Sequence, residues 1–160
     1  MTATRRLEAT TLERLPAPER AALCAELLVG VTHLALDIDG VITAAPRFFC
    51  ALSKAAREAR LRVSIVTSRS PAPEALEATR AELRGLRITF DALYAIAPMG
   101  TDASCPHREL DWYQQWLWLK VAYCEREGVQ LLVDDDAKVI DLAARFSRKL
   151  RTVQVVPRGA

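Results

Sequence analysis

Apolar positions along the chain fall into two alternating patterns. Short runs at Leu34 to Leu36, Ile65-Val66, Ala92 to Ile96, Leu131 to Val133 and Val153 to Val156 stop abruptly at polar residues and read as strands buried on both faces. Between them, apolar residues recur at helical spacing over 46 to 60, 73 to 84, 107 to 127 and 138 to 149, with Pro46 and Pro73 near two of the starts. Another helix is predicted over 18 to 29, where Pro18 and Glu19 suit a first turn, Leu23, Leu27 and Leu28 share a face, and Gly30 follows. Residues 1 to 17 are polar with scattered Leu and contain Pro16, which predicts a loose arm ahead of one domain over 18 to 160. Strands alternating with helices of this length build right-handed βαβ units. The expected fold class is therefore α/β, a three-layer sandwich around a mostly parallel sheet, with Ala97 to Pro106 as a Pro-, Gly- and Thr-containing loop that borders a site.

Composition narrows the function without naming it. A chain of 160 residues that is 51% hydrophobic supplies one ordinary core. Its 22 Lys and Arg against 20 Asp and Glu give a formal charge of +2, too balanced for a protein held mainly by bulk nucleic acid or an anionic membrane. No apolar window reaches transmembrane length and the first residues carry no signal-peptide pattern, so a cytoplasmic chain with no membrane partner is expected. Cys24, Cys50, Cys105 and Cys124 form no metal-binding pair and read as core residues in a reducing compartment. Neither His33 nor His107 is assigned a metal.

Chemistry enters at the strand ends, because ligands of open parallel sheets bind at the carboxyl edge. The first apolar strand ends in Asp37-Ile38-Asp39-Gly40-Val41-Ile42-Thr43, the second in Thr67-Ser68-Arg69-Ser70, and the fourth in Asp134-Asp135-Asp136. Five carboxylates brought to one edge repel each other unless a cation neutralises them, and oxygen ligands suit Mg²⁺. The offset between Asp37 and Asp39 divides the labour. Asp37 is placed to attack phosphorus and form an aspartyl-phosphate, while Asp39 protonates the leaving oxygen and later deprotonates water. Gly40 lets the chain turn. The Thr67 hydroxyl and nearby backbone N–H groups suit phosphoryl oxygens. Taken singly, each acidic motif is more often a solvated loop or a helix start, and Asp136 is most simply a helix cap; Thr43 and Ser68 also suit plain turns. Jointly, in this order and after apolar strands, they read as catalytic.

The blocks Leu36-Asp37-Ile38-Asp39-Gly40-Val41-Ile42-Thr43, Val66-Thr67-Ser68-Arg69 and Leu132-Val133-Asp134-Asp135 resemble the first, second and fourth motifs of the haloacid-dehalogenase-like hydrolase superfamily. The resemblance covers roughly residues 31 to 156. It implies a Rossmann-like fold and Mg²⁺-dependent phosphomonoester hydrolysis, with Asp37 as nucleophile, Asp39 as acid/base, and Thr67, Ser68 and Arg69 on the substrate phosphate. By position it assigns metal binding to Asp37, Asp39, Asp134 and Asp135. The third motif is a lysine, for which Lys120 is the first candidate and Arg108 the competitor. Lys120 shares a helical stripe with Tyr113, Leu117 and Cys124, an apolar face on which an unpaired ammonium is costly.

The stretches from Asp39 to Thr67 and from Thr67 to Lys120 have room only for the predicted elements, which implies a domain without a large cap and with an open site. Among capless relatives, the Trp- and Leu-rich helix before Val133-Asp134-Asp135 and Arg69 in the second motif resemble the phosphatase domain of polynucleotide kinase-phosphatases, although no phosphate-binding kinase loop occurs. Polynucleotide ends are thus one candidate substrate, beside any other exposed phosphate. Trp112, Trp116, Trp118 and Tyr123 crowd one helix, which is a candidate homo-oligomer interface. The alternative from a different functional class is a binding or regulatory module that keeps the fold but has little or no turnover.

Overall fold

The computed structural model describes residues 4–159. Among them, six strands form one sheet in the order β1-β6-β5-β2-β3-β4, with every neighbouring pair parallel. The strands are β1 (Arg5–Glu8), β2 (His33–Leu36), β3 (Arg62–Thr67), β4 (Ala92–Ala95), β5 (Leu131–Asp134) and β6 (Arg151–Val156). The helices are α1 (Ala9–Arg14), α2 (Ala17–Leu27), α3 (Pro46–Glu58), α4 (Pro73–Gly85), α5 (Trp112–Glu127) and α6 (Ala137–Phe146).

Alternation along the strands sorts side chains onto two faces. Leu34, Leu36, Val63, Ile65, Leu131 and Val133 point into a core shared with α1, α2 and α3, which supply Leu12, Leu27, Phe48, Phe49 and Leu52. Ala35, Val66 and Leu132 face the other way, against Leu117, Val121 and Cys124 of α5 and Val139 and Leu142 of α6. Both faces of β2 and β5 are covered, which is why their sequences are nearly continuous apolar runs. The result is the expected three-layer α/β architecture of Rossmann-like type. Neither the β2-to-β3 nor the β3-to-β5 connection carries an inserted domain among the described residues. No helix there is long and apolar enough to cross a membrane, and all four cysteines are free.

The predicted loose arm is a correction. Residues 1–3 lie outside the described residues, but Arg5–Glu8 form the edge strand β1, paired in register with Val153–Val156, and α1 buries Leu12 to 2% exposure. Glu13 accepts the Arg47 backbone N–H at 2.9 Å and so caps the first turn of α3. The arm hides from pattern reading because Arg-Arg-Leu-Glu has no apolar run; exposed charges are what an edge strand carries to discourage pairing with other chains. Helix boundaries also move. α5 starts at Trp112 rather than 107 because Asp111 and Gln114 form a reciprocal capping box. Gly128, at φ 71°, ends it.

Candidate active site

From β2 the chain proceeds outward through β3 to β4, then returns to place β5 on the other side of β2. The strand order therefore reverses between β2 and β5, and a crevice opens beyond their carboxyl ends. Asp37 follows β2 directly. Its N–H donates to Val133 O at 3.0 Å, so the sheet ladder itself fixes where its side chain leaves the backbone. Asp134 closes β5 and is fully buried; its Oδ1 accepts the Asp136 N–H at 2.9 Å. Asp136 then caps α6 by accepting the Lys138 N–H, as the sequence suggested.

Lys120 reaches into this crevice from α5, nine-tenths of the way to complete burial or beyond at 2% exposure. Its Nζ lies 2.8 Å from Asp134 Oδ2 and 3.2 Å from Asp37 Oδ2. Arg108, the competing candidate, sits exposed in the turn ahead of α5. Of the two candidates, Lys120 is therefore the one that the fold brings to Asp37, and the apolar stripe around it is interrupted by a charge that has two partners.

One carboxylate oxygen from each of Asp37, Asp134 and Asp135 lies within 4.8 Å of the others. Three acids face one ammonium, and the imbalance shows in their proton affinities. Burial, then the Asp134 charge, pushes the Asp37 carboxyl well above the usual range despite Lys120 beside it. Burial and Asp134 also raise Asp135. Burial alone would lower Lys120, but the Asp134 and Asp37 carboxylates outweigh it and hold the ammonium charged. Only oxygen donors are present, at least one of them solvent-facing, and the cluster lacks positive charge. A small hard divalent cation fits that donor set and that deficit.

Gly40 is what lets the turn after β2 approach Asp135, just after β5. It sits at φ 75°, and a Cβ there would stand 2.5 Å from Asp135 Cγ. The turn it belongs to, Ile38–Ile42, is closed by Thr43, whose N–H bonds Ile38 O at 3.0 Å and whose hydroxyl accepts the Gly40 N–H. Thr43 is thus a turn residue.

Asp39 departs from the expected metal set. Its carboxylate is turned onto Arg69, whose Nε and Nη2 donate to Oδ2 and Oδ1 at 2.9 and 2.7 Å, and it is not part of the three-acid cluster. The Arg69 hydrogen bonds hold the Asp39 carboxyl below its ordinary range. Arg69 in turn donates through Nη1 to Glu82 Oε2 at 2.6 Å. The guanidinium expected on the substrate phosphate is therefore engaged by two carboxylates. Thr67 ends β3 buried at 1% exposure, its Oγ1 accepting the Arg69 N–H at 3.1 Å, while Ser68 beside it is exposed. Pattern reading missed Glu82, which lies among several glutamates on the polar face of α4 and carries no local mark.

The aromatic residues of α5 divide among separate neighbours. Trp116 Nε1 donates to Ala97 O at 2.8 Å and pins the long loop; His107 stacks on Phe146 and meets Trp118 edge-on. Tyr123 donates to Ser64, and Lys138 Nζ lies 4.7 Å from the Tyr113 ring centre. Trp112 remains 69% exposed at the helix start. A groove of about 610 Å³ between α2 and α3 lies apart from all of these residues.

No family model and no curated protein matches the chain. Among solved structures, the chain is similar to one of the Pnkp1/Rnl/Hen1 complex, with a TM-score of 0.55 and 17% identity, covering 80% of this chain and 47% of that one. A second, of the Pnkp1/Rnl/Hen1 RNA repair complex, gives the same TM-score and identity over 82% of this chain and 44% of that one. The chain thus spans less than half the length of these neighbours, and at such identity the likeness is one of fold.

Proposed function

We propose that this chain is a Mg²⁺-dependent phosphomonoesterase of the haloacid-dehalogenase-like kind. One observation carries the reading: the Asp37 carboxylate stands at a topological switch point in contact with a buried lysine and within 4.8 Å of two further acids. Asp37, Asp134 and Asp135 would hold the magnesium ion, which supplies positive charge against the phosphoryl oxygens. An Asp37 oxygen attacks phosphorus as the bond to the leaving oxygen breaks, and Asp39, a carboxylate while Arg69 holds it, first takes up a proton from solvent and then gives it to that oxygen. Asp39 then takes a proton from the water that attacks the aspartyl-phosphate, releasing phosphate and restoring Asp37. Lys120 opposes the burial that raises the Asp37 carboxyl and, together with a bound cation, would favour its anionic form beside the incoming phosphate, while the Thr67 hydroxyl and the backbone N–H groups after β3 receive phosphoryl oxygens.

The substrate reading is a phosphate exposed at the end of a larger molecule, polynucleotide ends first. An uncapped site and the fold likeness to RNA repair complexes support it. The test is a panel of aryl phosphate, sugar phosphates, nucleotides and 3′- or 5′-phosphorylated oligonucleotides, assayed with and without Mg²⁺ beside Asp37→Asn. Turnover that needs both the metal and Asp37 is expected, fastest on an oligonucleotide phosphate. Mg²⁺ binding without turnover on any of them would make the chain a binding module instead.

A further inference from the structure

We propose that Glu82 is a positioning residue for Asp39, acting through Arg69; the inference rests on the phosphomonoesterase reading above. Arg69 has five N–H donors in one rigid plane. Nε and Nη2 form a two-pronged contact with Asp39 at 2.9 and 2.7 Å; Nη1 and Nη2 reach Glu82 at 2.6 and 3.4 Å. The three residues come from separate segments, the turn after β2, the loop after β3 and the last turns of α4.

Two other roles for this triad are weaker. As a phosphate site it is poorly charged, since one guanidinium between two carboxylates presents net negative charge to a dianion. As a stability element it contributes little, because side chains exposed by 63% at Asp39 and 41% at Glu82 leave both pairs screened by water. What the arrangement does provide is orientation. Glu82 is followed by Leu83, which is fully buried in the core, so its backbone is anchored. The Arg69 N–H is meanwhile held by Thr67 Oγ1. With its chain end and its far edge both fixed, the guanidinium plane is fixed, and the two-pronged contact passes that plane on to the Asp39 carboxylate. Without Glu82, Arg69 keeps its charge but regains rotation about its long stem, and Asp39 moves with it.

The consequence falls on leaving groups. A displaced acid matters little when the leaving oxygen departs unaided and much when it needs a proton. Glu82→Ala is expected to lower kcat about 10-fold on an alkyl phosphate and less than about twofold on p-nitrophenyl phosphate, with KM shifted less than about twofold on either. Glu82→Gln, whose carbonyl still accepts from Nη1, is expected to recover most of the loss. In an Asp39→Asn background, Glu82→Ala should add nothing further. Equal slowing on both substrates, or a full additional loss in the Asp39→Asn background, would show a merely structural role and overturn the inference, as would no change on either substrate. A wild-type chain lacking Asp37-dependent turnover of p-nitrophenyl phosphate would remove the phosphomonoesterase reading and this inference together. Wild-type turnover with an indifferent Glu82 removes only the latter.

Discussion

The two ends of β2 and β3 each bury a polar cluster, and the clusters are built on opposite terms. At the amino end, His33 Nδ1 lies 3.1 Å from Glu127 O and Nε2 2.7 Å from Ser64 Oγ, which also receives the Tyr123 hydroxyl at 3.1 Å. A carbonyl can only accept, so Nδ1 carries the proton, Ser64 donates to Nε2, and the chain closes with a neutral imidazole. Burial favours that form and lowers the His33 pKa. At the carboxyl end, three carboxylates meet one ammonium. The first cluster is complete in itself, whereas the second is completed by positive charge from outside the chain. A buried network that satisfies itself is part of the scaffold; one left with unbalanced charge beside an open crevice is where a ligand is to be sought.

That contrast can be broken most sharply at Asp37. Asp37→Asn should abolish phosphate-ester turnover by on the order of 10⁴-fold, since no other group replaces the attacking oxygen; an Asn variant that keeps full activity would end the enzymatic reading. Next in size is Lys120→Met, which strands Asp134 and Asp37 without their partner and should cost about 3–5 kcal/mol in a urea titration. A loss under about 1 kcal/mol would mean that the ammonium is not holding the cluster together. Mg²⁺ at a hundred times its dissociation constant should stabilise the wild type by about 2.7 kcal/mol, read as a rise in Tm, and Asp135→Asn should blunt the rise. An unchanged melting curve at any Mg²⁺ concentration would remove the metal from the picture.

The amino end should respond to pH instead of metal. Because the folded His33 pKa lies below the ordinary 6.5, its contribution is present above that value and is lost as pH falls, when the unfolded chain takes up a proton that the folded one does not. Thermal melts on the acid side should therefore fall less steeply for His33→Asn than for wild type. Matching slopes would show that another group governs acid unfolding.

The differences between prediction and structure follow one physical line. Strands β2 and β5 were legible because burial on both faces leaves a nearly contiguous apolar run, β3 and β6 because short apolar stretches still mark them, and the acids after β2 and β5 because a strand's end is a local event. β1 was not, since an edge strand needs no such run and its partner, β6, lies at the far end of the chain. The α5 start is marked by Asp111 and Gln114, a capping signal that lies within the span of the helical periodicity and so is masked by it. Lys120 was separable from Arg108 only by contact with Asp37.

Taken by itself, the sequence determined the layers of the fold and which residues stand at the carboxyl edge, because hydrophobic period and chain termination of strands are written in neighbouring positions. Tertiary structure alone decided which of those residues meet. The order in which β5 and β2 pair puts Asp134 and Asp135 beside Asp37, the packing of α5 delivers Lys120, and the approach of α4 gives Arg69 to Asp39 and Glu82 instead of leaving it free. Electrostatic partnership depends on distance in space, and spacing along a chain does not carry it across strand crossovers.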